Sequence, residues 1–207
     1  MSSINPEADS GSATAFLLEP LPTPRWGSQT GFGAFSVRAI AMIRAAPDTV
    51  LDCLLDTSTY PVWNGFVPAV TLPPASASDP SFPNSHLTVG RQFIEHVDMY
   101  GNGRSSGLVK MKLLMTTMEE LGHSNGQGYK VVWLGQGYPD WALRSERVHV
   151  ISQAEDGAST YEVWETFSGP LACLVKLFVG KTLVKRFRQW NQELKTYVEG
   201  MSQPSKS

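Results

Sequence analysis

Short segments of apolar and β-branched residues, several alternating apolar with polar positions, occupy much of the chain from residue 35 to residue 167. This pattern is typical of half-buried β-strands. Turn-forming stretches such as GNGRSSG, GYPD and EDGAS separate the later segments, so neighbouring strands are expected to pair antiparallel. A Pro- and Ser-rich stretch at 73–86 is predicted to be a loop long enough to act as a lid. The predicted strands are 35–43, about 66–72, 92–100, 108–117, 129–135, 143–153 and 160–167.

Two short helical patterns follow the first predicted strand. Pro47 stands where the first turn of a helix tolerates proline, and apolar residues at three-to-four spacing continue to Leu55. The segment from Asp56 to Pro61 ends this helix, because the residue before a proline avoids helical backbone geometry. A second short helix or turn is predicted at 60–64.

A long helical pattern closes the chain from about Pro170. Its apolar residues recur at spacings of three or four, which predicts a buried stripe on one side of the helix. Gly180 lies between the two parts of this stripe and indicates either a kink or a wide place in the packing. The stripe consists of Leu171, Leu174, Phe178, Leu183, Phe187, Trp190, Leu194 and Val198.

Composition divides the chain into one domain and two flanking segments. Residues 1–33 are rich in Ser, Gly, Pro and Ala and are predicted to be a disordered arm, although Phe16–Leu18 and Trp26 could dock on the domain. Residues 34–200 form the predicted domain, and 201–207 a disordered tail. The 207-residue chain is 42% hydrophobic and 17% charged, so the domain should bury enough surface to fold without metal or disulfide.

Charge and cysteine usage narrow the possible partners and location. A formal net charge of −2 gives no support to a nucleic-acid partner. The basic residues of the C-terminal helix, where Glu193 is the only acid between residues 171 and 198, are interpreted as a solvated face. The alternative is peripheral contact with an anionic membrane surface or with a partner. Cys53 and Cys173 are expected to be free thiols. Without a signal-peptide pattern or an apolar run of ~18 residues, a cytoplasmic protein with no transmembrane segment is expected.

The stretch AAPDTVLDCLLDTSTYPVWNGFVPAV, residues 45–70, resembles the N-terminal signature of the START-like, or SRPBCC, superfamily. This superfamily includes polyketide cyclases and dehydrases, coenzyme Q-binding proteins and relatives of the birch pollen allergen. The segment WETFSGPLACLV resembles the last strand and its passage into the long helix. The resemblance covers residues 35–199, and the residues that match the signature are Ala46, Pro47, Asp56, Tyr60, Trp63, Asn64 and Phe66.

The resemblance implies an α+β helix-grip fold, in which a curved antiparallel β-sheet wraps around a long C-terminal helix and two short helices follow the first strand. It also implies that a hydrophobic small molecule, such as a lipid, a quinone or a polyketide-like compound, binds in a cavity between sheet and helix. The alternatives are a cyclase or dehydratase acting on a polyketide- or terpenoid-like intermediate of secondary metabolism, and a docking or accessory protein. No cofactor is expected.

Strand alternation predicts which side chains line this cavity. The lysines of 108–117 and of 129–135 fall on one face of each strand, so the opposite faces are expected to point inward. An ordinary packed core is the alternative, because aromatic stripes alone do not exclude it. The predicted ligand-binding residues are Trp63, Phe66, Phe93, Met111, Leu113, Met115, Tyr129, Trp133, Tyr161, Val163 and Phe178.

Glu165 is the first candidate for acid–base chemistry, because it falls between two apolar residues on the inward face of its strand. Its alternative role is an ion pair with Arg147 or Arg144 of the neighbouring strand. The sequence of this neighbouring strand, 143–153, does not decide which of its two faces points inward. Either Arg147 and His149 point inward, where they could bind a carbonyl or a phenolate, or the valines of the strand do.

The strand at 92–100 also has two possible inward faces. Either Glu95 faces the cavity, or the His96–Asp98 pair does and could relay a proton. No metal site is predicted, because the histidines lack the close spacing of metal ligands. The further catalytic candidates, after Glu165, are His149, Arg147, His96 and Glu95.

Overall fold

The computed structural model describes residues 12–27, 34–73, 85–103, 107–123 and 126–201. Over these ranges, two strands precede a pair of short helices, six further strands follow, and one long helix comes last. The strands are β1 (Thr14–Leu18), β2 (Phe35–Ile43), β3 (Ala69–Thr71), β4 (Gln92–Val97), β5 (Val109–His123), β6 (Gly126–Gly135), β7 (Arg144–Gln153) and β8 (Ser159–Ser168). The helices are α1 (Pro47–Leu55), α2 (Tyr60–Trp63) and α3 (Ala172–Met201).

The strands form one antiparallel sheet in the order β1-β2-β8-β7-β6-β5-β4-β3. Strands β3 to β7 each pair with the next strand along the chain, and β8 also pairs with β2. The register of β5 against β6 shifts between Met115 and Thr117, and such a bulge bends a strand and increases its twist. The curved sheet encloses α3, so the predicted helix-grip α+β fold is confirmed.

The stretch around Asn64 explains how the chain turns from α2 into the sheet. The side-chain oxygen of Asn64 accepts hydrogen bonds from the amides of Phe66 (3.1 Å) and Val67 (2.7 Å). These amides are therefore held in a turn, and β3 is shorter than the predicted strand at 66–72. In contrast, β2 and α1 begin and end at the predicted residues.

The segment predicted as an N-terminal arm contains the edge strand β1, which pairs with β2. After β1 the chain crosses the outer face of the sheet, where the Leu21 amide donates to Ser36 Oγ (2.8 Å). Further on, the Arg25 amide lies 3.2 and 3.3 Å from the two carboxylate oxygens of Glu146. Residues 12–27 are therefore attached to the domain by hydrogen bonds, whereas the other residues of 1–33 lie outside the described ranges.

Helix α3 runs without interruption through Gly180, which is buried against Leu17 of β1. Gly180 therefore marks a contact between the helix and the edge strand and not a kink. The second half of the predicted apolar stripe, from Leu183 to Val198, is buried. Residues 202–207 of the predicted tail, and 74–84 of the predicted loop, lie outside the described ranges.

Candidate functional site

A buried ion cluster lies on the inner face of the sheet, formed by Glu95 of β4, Arg147 of β7 and Glu165 of β8. Arg147 and Glu165 are directly opposite each other in the register, and Arg147 Nε donates to Glu165 Oε2 at 3.0 Å. Arg147 Nη1 lies 3.1 and 3.2 Å from the two oxygens of Glu95. Since β5 and β6 lie between β4 and β7, this contact depends on the concave shape of the sheet. Arg147 and His149 therefore point inward, and the valines of β7 point outward.

The ion cluster holds two carboxyl groups against one guanidinium group. Burial raises the pKa of Glu95 above its usual value, the attraction of Arg147 opposes this, and the nearby charge of Glu165 adds to it. Burial disfavours the charged form of Arg147, but the two carboxylates outweigh this and raise the pKa of Arg147. Among the described residues, Glu165 Oε1 has no hydrogen-bond partner. The cluster thus combines a permanent cation with a carboxyl group, that of Glu95, which binds a proton more readily than an exposed glutamate does.

A second polar group adjoins the ion cluster. The indole nitrogen of Trp190 donates to the phenolic oxygen of Tyr161 at 2.9 Å, and His149 Nδ1 lies 2.8 Å from the same oxygen. Burial, with the positive charge of Arg147, lowers the pKa of His149 well below its usual value. The ring is therefore neutral, and the Tyr161 hydroxyl can donate to Nδ1, which places the ring proton on Nε2. That Nε2 has no partner among the described residues.

Aromatic side chains surround these polar groups and leave little free space. The rings of Trp133 and His149 are in contact, with 4.2 Å between centroids and an angle of 55° between their planes. A space of about 10 Å³ lies beside Arg147, which is about the size required by one water molecule. It is therefore too small for a lipid or a quinone. It is lined by Phe66, Arg147, Val163, Phe187 and Trp190.

A larger open groove of about 460 Å³ lies away from the ion cluster, at the β3 edge of the sheet. Its lining is mixed, with apolar side chains, one lysine and two glutamines. No residue of the ion cluster lines it. The lining residues are Thr71, Pro73, Gln92, Phe93, Ile94, Lys112, Leu113 and Gln136.

Most of the predicted wall residues face the interior. Met111 is only half-buried, and Tyr129 donates to Asp48, a contact that raises the pKa of Tyr129 to about 12. Trp63 packs against Tyr60, Trp190 and Tyr197 and so forms part of the core. The buried members of the predicted set are Trp63, Phe66, Phe93, Leu113, Met115, Tyr129, Trp133, Tyr161 and Val163.

Three predicted site residues lie elsewhere. Phe178 is 75% exposed, because the first turns of α3 contact β1 and β2 through their opposite side, at Gly180 and Lys176. His96 Nε2 lies 2.8 Å from Thr71 Oγ1, on the face of β4 opposite to Glu95. The Asp98 carboxylate accepts hydrogen bonds from the backbone amides of residues 101–103. His96 and Asp98 therefore do not form a pair that could relay a proton in the interior.

Two residues of α3 bring polar groups into the interior although no functional role was predicted for them. Trp190 was assigned only to the apolar stripe, but its indole nitrogen anchors Tyr161. Asn191 is fully buried, and neither atom of its amide has a partner among the described residues. The sequence signal for Asn191 was its position directly after Trp190 of the apolar stripe, where a polar side chain can be buried. Within the described ranges, no group of three His, Cys, Asp or Glu residues is placed to hold a metal ion.

Comparisons with known proteins agree with this architecture. No protein-family model matches the chain. The oxopyrrolidines biosynthesis cluster protein O of Penicillium oxalicum is 26% identical over 191 residues, which span 87% of this chain and 93% of that protein.

Two solved structures share the fold at low sequence identity. A STAR-related lipid transfer protein from Xanthomonas axonopodis is 12% identical, with a TM-score of 0.56 over 90% of this chain and 93% of that one. A norcoclaurine synthase from Thalictrum is 11% identical, with a TM-score of 0.51 over 84% of this chain and 100% of that one. The chain therefore has a START-like fold, and the resemblance noted in the sequence is confirmed at the level of the fold.

Proposed function

We propose that the protein binds a small organic molecule between the sheet and α3, and that this molecule is apolar over most of its surface and carries a hydrogen-bonding group. The observation that carries this proposal is the ion cluster of Glu95, Arg147 and Glu165. Burying an ion costs several kcal/mol, and apolar side chains of similar volume would stabilise the fold at least as well. Buried charges with an unpartnered oxygen are therefore more typical of a binding site than of a core.

The polar atoms that lack partners indicate how the ligand would be oriented. Glu165 Oε1 can accept a hydrogen bond, and His149 Nε2 can donate one. The surrounding rings of Trp133, Phe187 and Trp190 would contact the apolar part of the ligand. Because the space beside Arg147 is about 10 Å³, the ligand must displace side chains of α3 from the sheet as it enters.

The comparisons support the class of ligand. One neighbour in fold is named as a lipid transfer protein, and the relative in Penicillium is named for a biosynthesis cluster. We therefore propose a hydrophobic intermediate or product of secondary metabolism, polyketide-like or lipid-like, as the ligand. This class agrees with the names of both proteins and with the aromatic interior.

A second candidate function is the turnover of such a molecule by acid–base chemistry, as in a cyclase or dehydratase. The observation that favours it is the position of the buried Glu95 carboxyl group beside Glu165 and Arg147, where burial raises its pKa and so favours its protonated, proton-donating form. In a dehydration, Glu165 would remove a proton from the carbon next to a carbonyl group. Glu95 would give a proton to the departing hydroxyl group, and a double bond and water would result.

Native mass spectrometry of the purified protein, followed by extraction under denaturing conditions, identifies any molecule that is bound. The identified compound is then titrated against the wild type and Glu165→Gln, with tryptophan fluorescence as the signal. Glu162→Gln is the matched control, because Glu162 lies on the same strand but on its outer face, paired with Arg38. We expect Glu165→Gln to weaken binding at least tenfold and Glu162→Gln to leave it unchanged.

The other outcomes separate the candidate functions. If Glu165→Gln retains affinity for the compound but no longer converts it, the protein is an enzyme and the second candidate function is correct. If nothing co-purifies, and panels of quinones, lipids and aromatic polyketides do not bind, both candidates fail and a docking role is left.

A further inference from the structure

Large apolar side chains are exposed at the end of the molecule where α3 begins. Leu177 and Phe178 are each 75% exposed and Leu174 is 47% exposed, and their spacing places all three on one side of the helix. Trp141, 76% exposed, lies in the loop between β6 and β7. The next residue, Ala142, accepts a hydrogen bond from the Leu171 amide at 3.1 Å, so this loop is attached to the start of α3. Trp141, Leu174, Leu177 and Phe178 are called the apolar tip below.

Basic residues lie directly behind the apolar tip. Lys181 and Lys185 are exposed and continue the same side of α3, three and seven residues after Phe178. Lys176 is also exposed, but it lies on the other side of α3, where its ammonium group is over the ring of Phe35. The sequence of α3 has no acidic residue before Glu193. This end of the helix therefore presents an apolar surface followed by a band of positive charge.

We infer that the apolar tip, together with Lys181 and Lys185, docks on the surface of an anionic lipid bilayer. The apolar side chains would enter the boundary between headgroups and acyl chains, where tryptophan is especially favourable. The lysines would lie at the level of the phosphates, and each contributes roughly 1 kcal/mol near a negatively charged leaflet. Protein interfaces are depleted in lysine, so the band of lysines favours lipid over a protein partner. This inference does not depend on the proposed ligand site.

Co-sedimentation of the full chain with lipid vesicles tests this inference. One set of vesicles contains phosphatidylcholine alone, and in the other about a third of the lipid is phosphatidylserine. We expect binding to the vesicles that contain phosphatidylserine, and a loss of at least tenfold in apparent affinity when NaCl is raised to 0.5 M. The variants Phe178→Asp and Lys181→Glu/Lys185→Glu should each weaken binding at least tenfold. The matched control is Val62→Asp, because Val62 of α2 is also 75% exposed but lies outside the tip.

Circular dichroism and thermal unfolding must first show that each variant is folded as the wild type is. The inference is overturned if the wild type does not bind the anionic vesicles, or if Phe178→Asp binds them as Val62→Asp does. Analytical ultracentrifugation tests whether a second copy of the chain, and not a membrane, contacts the apolar tip. A wild-type dimer that becomes monomeric in Phe178→Asp would show that the tip contacts a second copy of the chain, and would also overturn it.

Discussion

His149 Nδ1 lies 2.8 Å from the phenolic oxygen of Tyr161, and the indole nitrogen of Trp190 donates to the same oxygen. This chain of hydrogen bonds joins β7, β8 and α3, so it attaches the helix to the concave face of the sheet. It also suits a neutral imidazole ring, because Nδ1 can then accept a hydrogen bond from the hydroxyl group while the indole donates to the oxygen.

The neutral state of His149 makes stability depend on pH. Burial and the charge of Arg147 lower the pKa of His149 well below 6.5 in the folded protein. Below pH 6.5 the unfolded chain therefore binds a proton that the folded protein does not, so the free energy of unfolding falls as the pH is lowered. Between pH 7.5 and pH 5.5, we expect the wild type to lose about 1.4 kcal/mol more than His149→Gln loses.

Urea unfolding at the two pH values measures this difference. Comparison with the variant is necessary because the raised pKa of Glu95 acts in the opposite direction, favouring the folded protein at low pH. This contribution is common to both proteins and largely cancels. An equal pH dependence in the wild type and in His149→Gln would show that His149 titrates alike in the folded and unfolded chains.

The ion cluster predicts a large effect of removing its cation. Arg147→Met leaves Glu95 and Glu165 buried without a counter-charge, and we expect a loss of about 3–5 kcal/mol in the free energy of unfolding at pH 7. Arg38→Met is the control, because Arg38 and Glu162 form a more exposed pair on the outer face, which contributes about 1 kcal/mol or less.

A variant that also removes the two negative charges distinguishes electrostatics from packing. Arg147→Met/Glu95→Gln/Glu165→Gln should be more stable than Arg147→Met, because no uncompensated charge is buried. If the triple variant is less stable than the single variant, the contribution of Arg147 is its contact with the rings of Trp133 and Trp190 and not its charge.

Gly180 predicts a substitution that increases stability. A Cβ at this position would lie 3.4 Å from Leu17 Cδ1, which is an ordinary contact distance. Glycine inside a helix is less favourable than alanine by roughly 0.5–1 kcal/mol, so Gly180→Ala should stabilise the protein by about this amount. Gly200→Ala, with open space around it, reports the gain from helix propensity alone. A loss of stability in Gly180→Ala would show that β1 cannot move even slightly from the helix.

Sequence patterns predicted those features that depend on residues close together in the sequence. Alternation placed Glu165 on the inward face, and the proline and apolar spacing gave α1 its observed ends. The contact of Glu95 with Arg147 could not be predicted, because it joins strands separated by two others and depends on the curvature of the sheet. Phe178 was assigned to the interior because the stripe of a long helix does not reveal where its neighbours end.

The edge strand β1 was missed for a different physical reason. Its stability comes from backbone pairing with β2 and from contact with α3 near Gly180, and neither leaves a strong mark on composition. The polar role of Trp190 was hidden in the same way, because an indole at a core position can use its nitrogen only when a specific partner such as Tyr161 lies opposite.

Removing the Trp63 side chain from the aromatic cluster beneath α3 is expected to destabilise the fold. Its ring lies 5.1 Å from Tyr60 and 5.5 Å from Trp190 between centroids, and its indole nitrogen donates to Thr59 Oγ1 at 3.0 Å. Trp63→Ala should therefore lower the free energy of unfolding by about 3–5 kcal/mol and the melting temperature by several degrees. Val62→Ala, at the exposed neighbouring position, should change it by less than about 0.5 kcal/mol. If Trp63→Ala unfolds as the wild type does and only ligand affinity falls, Trp63 lines the binding site and does not support the core.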